Sequence, residues 1–273
     1  MITLTGFADE ISPELDVQLD VLESEGIHHL EFRGVWGKNV LSLSDEEVAR
    51  VKETLDRRGF RVSSIGSPIG KIGIQDDFET HLERFRRALQ LADIFQAPYI
   101  RLFSFFIPQG DHPADHRDEV MRRMKALVQE AKHSAVVLLH ENEKDIYGDN
   151  GERCLDLMQE CGSPRLRTAF DPANFVQCGV RPMTDAYPLL APYIEYIHVK
   201  DALFENGKVV PAGEGDGEWP QLIEQLKQTG FSGFMSLEPH LQTAEQFQGF
   251  SGPERFVAAV RALKGLLQNA GLS

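Results

Sequence analysis

Short apolar runs alternate with longer amphipathic segments along the whole chain. The stretch Tyr193-Ile194-Glu195-Tyr196-Ile197-His198-Val199-Lys200-Asp201 shows the strand half of the pattern most plainly. With a period of two, Tyr196, His198 and Lys200 share one face and Ile197 and Val199 the other. Equivalent runs predict strands over residues 3–8, 28–33, 61–66, 98–103, 135–140, 165–170, 193–199 and 233–237. The segments between them carry helical period and punctuation. Ser12-Pro13 predicts a helix opening that runs to residue 25. Ser44 with Glu47 forms a capping-box signature for a helix to residue 58, which Gly59 closes. Further helices are predicted over 76–95, 114–133, 151–160, 182–190, 219–228 and 253–269.

Eight strands alternating with helices force parallel pairing, and eight such units close a TIM barrel. The expected fold class is therefore α/β, a single (β/α)8 barrel occupying residues 1–273 as one domain. No Pro/Gly/Ser-rich linker divides it.

In such a barrel the site lies at the C-terminal ends of the strands. Strand five ends in Leu139-His140-Glu141-Asn142, strand six in Phe170-Asp171-Pro172-Ala173-Asn174, strand seven in His198, and strand eight in Leu237-Glu238-Pro239-His240. Four adjacent strands thus deliver Glu141, Asp171, His198 and Glu238 to one rim. Three carboxylates in one apolar mouth raise one another's pKa, a conflict that a divalent cation resolves. Three oxygen donors and one imidazole suit Mn²⁺, placed first, or Mg²⁺, Co²⁺ and Zn²⁺; no thiolate is offered.

Composition narrows the partners. The formal net charge of −14 disfavours nucleic acid and anionic membranes and favours a small sugar or polyol substrate. Three cysteines outside any C-x-x-C pattern, with no leader-like N-terminus, place the chain in a reducing cytoplasm. No apolar run is long enough for a membrane helix.

The chain resembles the xylose-isomerase-like TIM barrels of sugar isomerases and epimerases over essentially its whole length. The resemblance is carried by Phe7-Ala8-Asp9-Glu10-Ile11-Ser12, Leu30-Glu31-Phe32-Arg33, Gly66-Ser67-Pro68, the four strand ends above, Ile197-His198-Val199-Lys200-Asp201, and Gly213-Glu214-Gly215. It implies one metal on Glu141, Asp171, His198 and Glu238. It also implies that Glu141 and Glu238 act as acid and base on a keto-sugar, through a metal-stabilised cis-enediolate. The family further implies dimers or tetramers. One departure stands out: ketose 3-epimerases usually carry a histidine three residues after the strand-six aspartate, where this chain has Asn174. An inosose-type dehydratase on the same metal site is the alternative, and a non-catalytic sugar-binding barrel is the alternative of a different class. An apurinic endonuclease fits poorly, for want of a basic face and further histidines.

Substrate-binding candidates are Asn174, Lys200, Arg101, His240 and Glu31. Lys200 and Arg101 have salt bridges as their rival reading, and Glu31 and Arg33 an ion pair with each other. Asn142 and Glu143 fall in the rim loop as further contacts, and His140 faces away from Glu141. Gly213–Gly217 reads as a mobile rim loop. Trp36, Phe7 and the cluster over 103–106 read as an apolar wall for a sugar face, or as core.

Overall fold

The computed structural model describes residues 1–241 and 250–272. Its frame is eight parallel strands: β1 (Ile2–Gly6), β2 (His29–Phe32), β3 (Arg61–Ile65), β4 (Tyr99–Leu102), β5 (Val137–Glu141), β6 (Leu166–Phe170), β7 (Ile194–Val199) and β8 (Gly233–Leu237). They hydrogen-bond in the order β1-β8-β7-β6-β5-β4-β3-β2, and β2 comes back beside β1, so the sheet nearly closes on itself. This is the expected TIM barrel. Around it run α1 (Leu15–Ser24), α2 (Asp45–Arg58), α3 (Phe78–Phe95), α4 (Arg117–Glu130), α5 (Gly151–Cys161), α6 (Pro172–Gln177), α7 (Tyr187–Leu190), α8 (Trp219–Thr229) and α9 (Pro253–Asn269).

The strands are buried on both faces, which is why their sequences carry so few exposed polar positions. Their outward residues join the helices in one large core. Leu139, Ala169 and Tyr196 form a separate interior layer, flanked by Tyr99, Val137 and Phe234. Beneath the C-terminal mouth a polar layer crosses the barrel. Thr5 Oγ1 lies 2.8 Å from Ser63 Oγ, which is 3.0 Å from the Tyr196 hydroxyl. Among the described residues no helix is long and apolar enough to cross a membrane.

Local signals explain several boundaries. The capping box forms as its sequence dictates: Glu47 N–H donates to Ser44 Oγ at 3.2 Å and Ser44 N–H to Glu47 Oε2 at 2.9 Å. Gly59 ends α2 in the left-handed region, φ 73°.

Other boundaries differ from expectation. β1 stops at Gly6, and a helical turn, Ala8–Glu10, follows it. Ser12 does not cap α1. Its Oγ accepts from Glu14 N–H in a local turn, and the helix begins at Leu15. Residues 8–13 are held instead against the rim, where the Pro13 carbonyl accepts from Trp36 N–H. The six-residue α6 was not expected, although Asp171 caps it through Asn174 N–H and Pro172 sits at its first turn. Two short hairpins, Gly34–Val35 with Lys38–Asn39 and Asp201–Ala202 with Val209–Val210, also lie outside the predicted elements.

Candidate active site

The strand ends converge as the sequence predicts. Glu141 is the last residue of β5, Asp171 follows β6, His198 is the penultimate residue of β7, and Glu238 follows β8. One ligand atom from each lies within 4.8 Å of the others, and all four side chains are buried. The donor set fits a divalent cation. His198 Nδ1 sits 3.3 Å from Glu141 Oε1 and 3.7 Å from Glu238 Oε2. It is buried without a hydrogen-bond partner. A buried imidazole nitrogen that faces a cluster of carboxylates and makes no hydrogen bond is what a ligand set shows when an ion itself satisfies it.

Glu31 takes a different place from the one expected. It pairs neither with Arg33 nor, in this arrangement, with solvent. Its Oε2 lies 3.1 Å from His198 Nε2 across the barrel. That carboxylate fixes the ring so that Nδ1, not Nε2, faces the cluster. Alternation along β2 places Glu31 on the interior face, opposite Leu30 and Phe32, which join the outer core. Arg33 binds Asp9 instead (Nε–Oδ2 2.7 Å) and Glu238 (Nη1–Oε1 3.1 Å).

Asn174 is drawn into the cluster by α6. Its Nδ2 donates to Glu141 Oε1 at 3.1 Å and to the Asn142 carbonyl at 2.9 Å. Asn142 does not line an open face. Its amide exchanges two hydrogen bonds with the Asp171 backbone and braces β6 against β5. Arg101 Nη1 lies 3.1 Å from Glu141 Oε2 and 3.8 Å from Glu238 Oε1. Lys200 Nζ forms ion pairs with Asp171 Oδ2 at 2.9 Å and Glu238 Oε2 at 3.2 Å. For both cations the salt-bridge reading describes this structure. His140 is fully buried, 3.0 Å from Ser104 Oγ, and burial lowers its pKa to about 4.

His240 adopts a left-handed backbone, φ 45°, a conformation costing on the order of 1–3 kcal/mol for a non-glycine. The turn puts its Nε2 3.1 Å from Glu10 Oε1 and 3.3 Å from Glu238 Oε1. Glu10 holds the same residue by its backbone, accepting from His240 N–H at 2.9 Å. Glu10, Glu238 and His240 thus form a second acidic group, with Arg33 Nη2 3.8 Å from Glu10 Oε1. Sequence reasoning passed over Asp9 and Glu10. Phe7 is fully buried, edge-on to His198 and under both Arg33 and Arg101. Trp36 stacks with Arg50 outside the cluster.

These contacts polarise the titrations. Burial alone would raise Glu141, but His198 and Arg101 overcome it and hold the carboxyl down to about 2. Glu238 is likewise held well below the usual range against its burial, chiefly by Lys200 and then His240. Asp171 goes the other way, up to about 6, because burial with Glu141 and Glu238 nearby outweighs Lys200. His198, despite burial, is raised well above 6.5 by Glu141 and Glu31. At neutral pH the mouth therefore sets two ionised glutamates beside a His198 that favours its proton, while Asp171 keeps a proton only below about 6.

The Gly213–Gly217 run is an anion cradle whose anion belongs to the protein. Gly213, Gly215 and Gly217 N–H groups donate to the Asp201 carboxylate at 2.8–2.9 Å. Asp201 adjoins Lys200, whose carbonyl accepts from Trp219 Nε1. A Cβ on Gly215 would lie 2.5 Å from Asp201 Oδ1, and one on Gly217 2.6 Å. Gly215→Ala is therefore expected to lower stability by about 1–3 kcal/mol, visible as a lower thermal midpoint. An unchanged midpoint would show that the cradle yields freely.

An eight-stranded barrel with three acids and one histidine at its C-terminal rim defines a class of metal-site α/β barrels. The chain belongs to the xylose isomerase-like TIM barrel family, whose profile matches residues 19–266. Members of that family are enzymes: isomerases, epimerases and a dehydratase. The chain is 25% identical over 231 residues to a 3-dehydroshikimate dehydratase of Bacillus anthracis, covering 78% of this chain and 81% of that one. In fold it resembles a D-tagatose 3-epimerase-like protein (TM-score 0.79, 16% identity, 99% of this chain and 100% of that one). It also resembles the IOLI protein, whose structure holds a zinc atom (TM-score 0.74, 14% identity, 98% and 97%).

Proposed function

We propose that this protein is a divalent-metal-dependent isomerase or epimerase of a small keto-sugar or related polyol, with Glu141 and Glu238 moving the proton beside the carbonyl. The observation that supports it is the convergence of four buried ligand atoms within 4.8 Å. A cation held by Glu141, Asp171, His198 and Glu238, with Mn²⁺ as first choice, supplies Lewis acidity that polarises a substrate carbonyl. Glu141 and Glu238 are both ionised at neutral pH and share Arg101, so each can accept a proton from carbon. Asn174 fixes one Glu141 oxygen and leaves the other to Arg101. Glu31 and Phe7 keep His198 from turning. The three cysteines are free and suit a cytoplasmic setting, and the −14 charge suits a small substrate over nucleic acid.

A second reading, a dehydratase, is favoured by Lys200. Its ammonium lies beside Glu238, where it can hydrogen-bond a departing hydroxyl once a carboxylate has taken the neighbouring proton. Asn174, in the place of the epimerase histidine, and the dehydratase relative point the same way. Elemental analysis followed by a screen of keto-sugars and inososes in D₂O separates the outcomes. About one equivalent of metal per chain is expected. An isomer carrying solvent deuterium supports the first reading, and a product lighter by one water the second. A protein that holds no metal after reloading with Mn²⁺ would sink both.

A further inference from the structure

The cations at the mouth are already matched by carboxylates of the protein. Arg33 gives Nε to Asp9 and Nη1 to Glu238, approaches Glu10 with Nη2, and lays its face on Phe7 with 4.6 Å to the centroid. Arg101 is committed to Glu141 and to the carbonyls of Gly66 and Ser67. Lys200 lies between Asp171 and Glu238. On the rim, Lys71 pairs with Glu143 at 3.1 Å. A site that reads a phosphate or carboxylate instead keeps a guanidinium or ammonium for it, because the charge-assisted pair supplies the affinity.

The charge balance runs the same way. Five buried acids (Glu10, Glu31, Glu141, Asp171, Glu238) and the half-buried Asp9 face three permanent cations (Arg33, Arg101, Lys200), the two histidines being left out of the count. A divalent cation would bring this cluster to within one charge of neutrality and leave it still acidic.

Asp9 is the acid with least else to do. Its Oδ2 accepts from Arg33, and its Oδ1 is buried without a hydrogen-bond partner. We infer that this site takes an uncharged keto-sugar or polyol, and that Asp9 is the specificity-determining residue, occupying the Arg33 guanidinium that an anionic substrate would otherwise claim. The inference rests on the function proposed above for its substrate family, but its test reads binding, not turnover.

Calorimetry on the Mn²⁺-loaded and metal-free protein would compare D-fructose, D-fructose 6-phosphate, 3-dehydroshikimate (a carboxylate) and inorganic phosphate. The wild type is expected to bind the three anions no tighter than the neutral sugar. Asp9→Asn is expected to tighten inorganic phosphate and 3-dehydroshikimate by about tenfold and to leave D-fructose unmoved. Glu143→Gln, at a half-buried position in the rim loop outside the barrel core, is expected to tighten phosphate by a smaller factor through Lys71. A wild type that prefers the phosphate ester to the free sugar would overturn the inference. So would an absence of anion gain in folded Asp9→Asn or, should that variant not fold, in Glu143→Gln. Failure to turn over any keto compound would count against the catalytic proposal alone, because the binding comparison would still stand.

Discussion

Glu238→Gln is expected to lower turnover of a keto-sugar by about 10²–10⁴-fold while leaving the barrel folded. The carboxylate meets Lys200 and His198 through Oε2, and Arg33 and His240 through Oε1. Glutamine keeps the volume and one acceptor oxygen, so the packing around Phe7 and Val199 need not change. What it removes is the charge that can take a proton from carbon. Lys200 retains Asp171 as a partner at 2.9 Å, so no cation is stranded and gross unfolding is not the expected result. Elemental analysis of the same variant separates loss of metal from loss of the base. A variant that still binds sugar but no longer converts it is an enzyme lacking its base. One that converts substrate at the wild-type rate would exclude Glu238 from proton transfer. A wild type that only binds, with Glu238→Gln binding equally well, would mark a sugar-binding barrel instead.

The convergence of Glu141, Asp171, His198 and Glu238 was legible in the sequence because barrel geometry makes position along a strand equivalent to position in space. Once β5 to β8 are recognised, a polar residue at each C-terminal end must meet its neighbours, whatever the intervening helices do. Period-two alternation was enough to place His198 and Lys200 on the interior face with Tyr196. The same rule failed at Glu31. Two residues apart on one face, Glu31 and Arg33 look like a pair, but partners distant in sequence claim both: His198 takes Glu31, and Asp9 with Glu238 takes Arg33. Glu10 was invisible for a different reason. Its partners, His240 and Ser251, are 230 and 241 residues away, and the contact depends on a positive φ at His240 that no pattern announces. The glycine run 213–217 shows a third limit. Convergent backbone N–H groups cradle any anion alike, and only the fold reveals that Asp201 is the one held by Gly213, Gly215 and Gly217.

Metal affinity is expected to rise about tenfold per pH unit through the neutral range, and more steeply, toward a hundredfold per unit, in acid. In the metal-free site His198 is raised well above 6.5: burial opposes its charge, but Glu141 and Glu31 outweigh burial. A cation needs the bare Nδ1 lone pair, so binding must expel that proton, and each unit of pH makes the expulsion tenfold easier. Below the Asp171 value of about 6 a second proton must leave with it, which steepens the slope. The sign for stability is the reverse. Raised His198 and Asp171 favour the folded metal-free protein at low pH, and that contribution is lost as pH rises through their folded values. Glu141, held down to about 2, contributes above its unfolded value and loses it only as pH falls toward 2. Metal removal should therefore destabilise the protein most at pH 8 and least near pH 5. Competition with a chelator at several pH values, paired with thermal unfolding of loaded and stripped protein, checks both slopes. A pH-independent affinity would mean that Nδ1 carries no proton to displace, and that the Glu31–His198–Glu141 arrangement does not hold the imidazole as a cation.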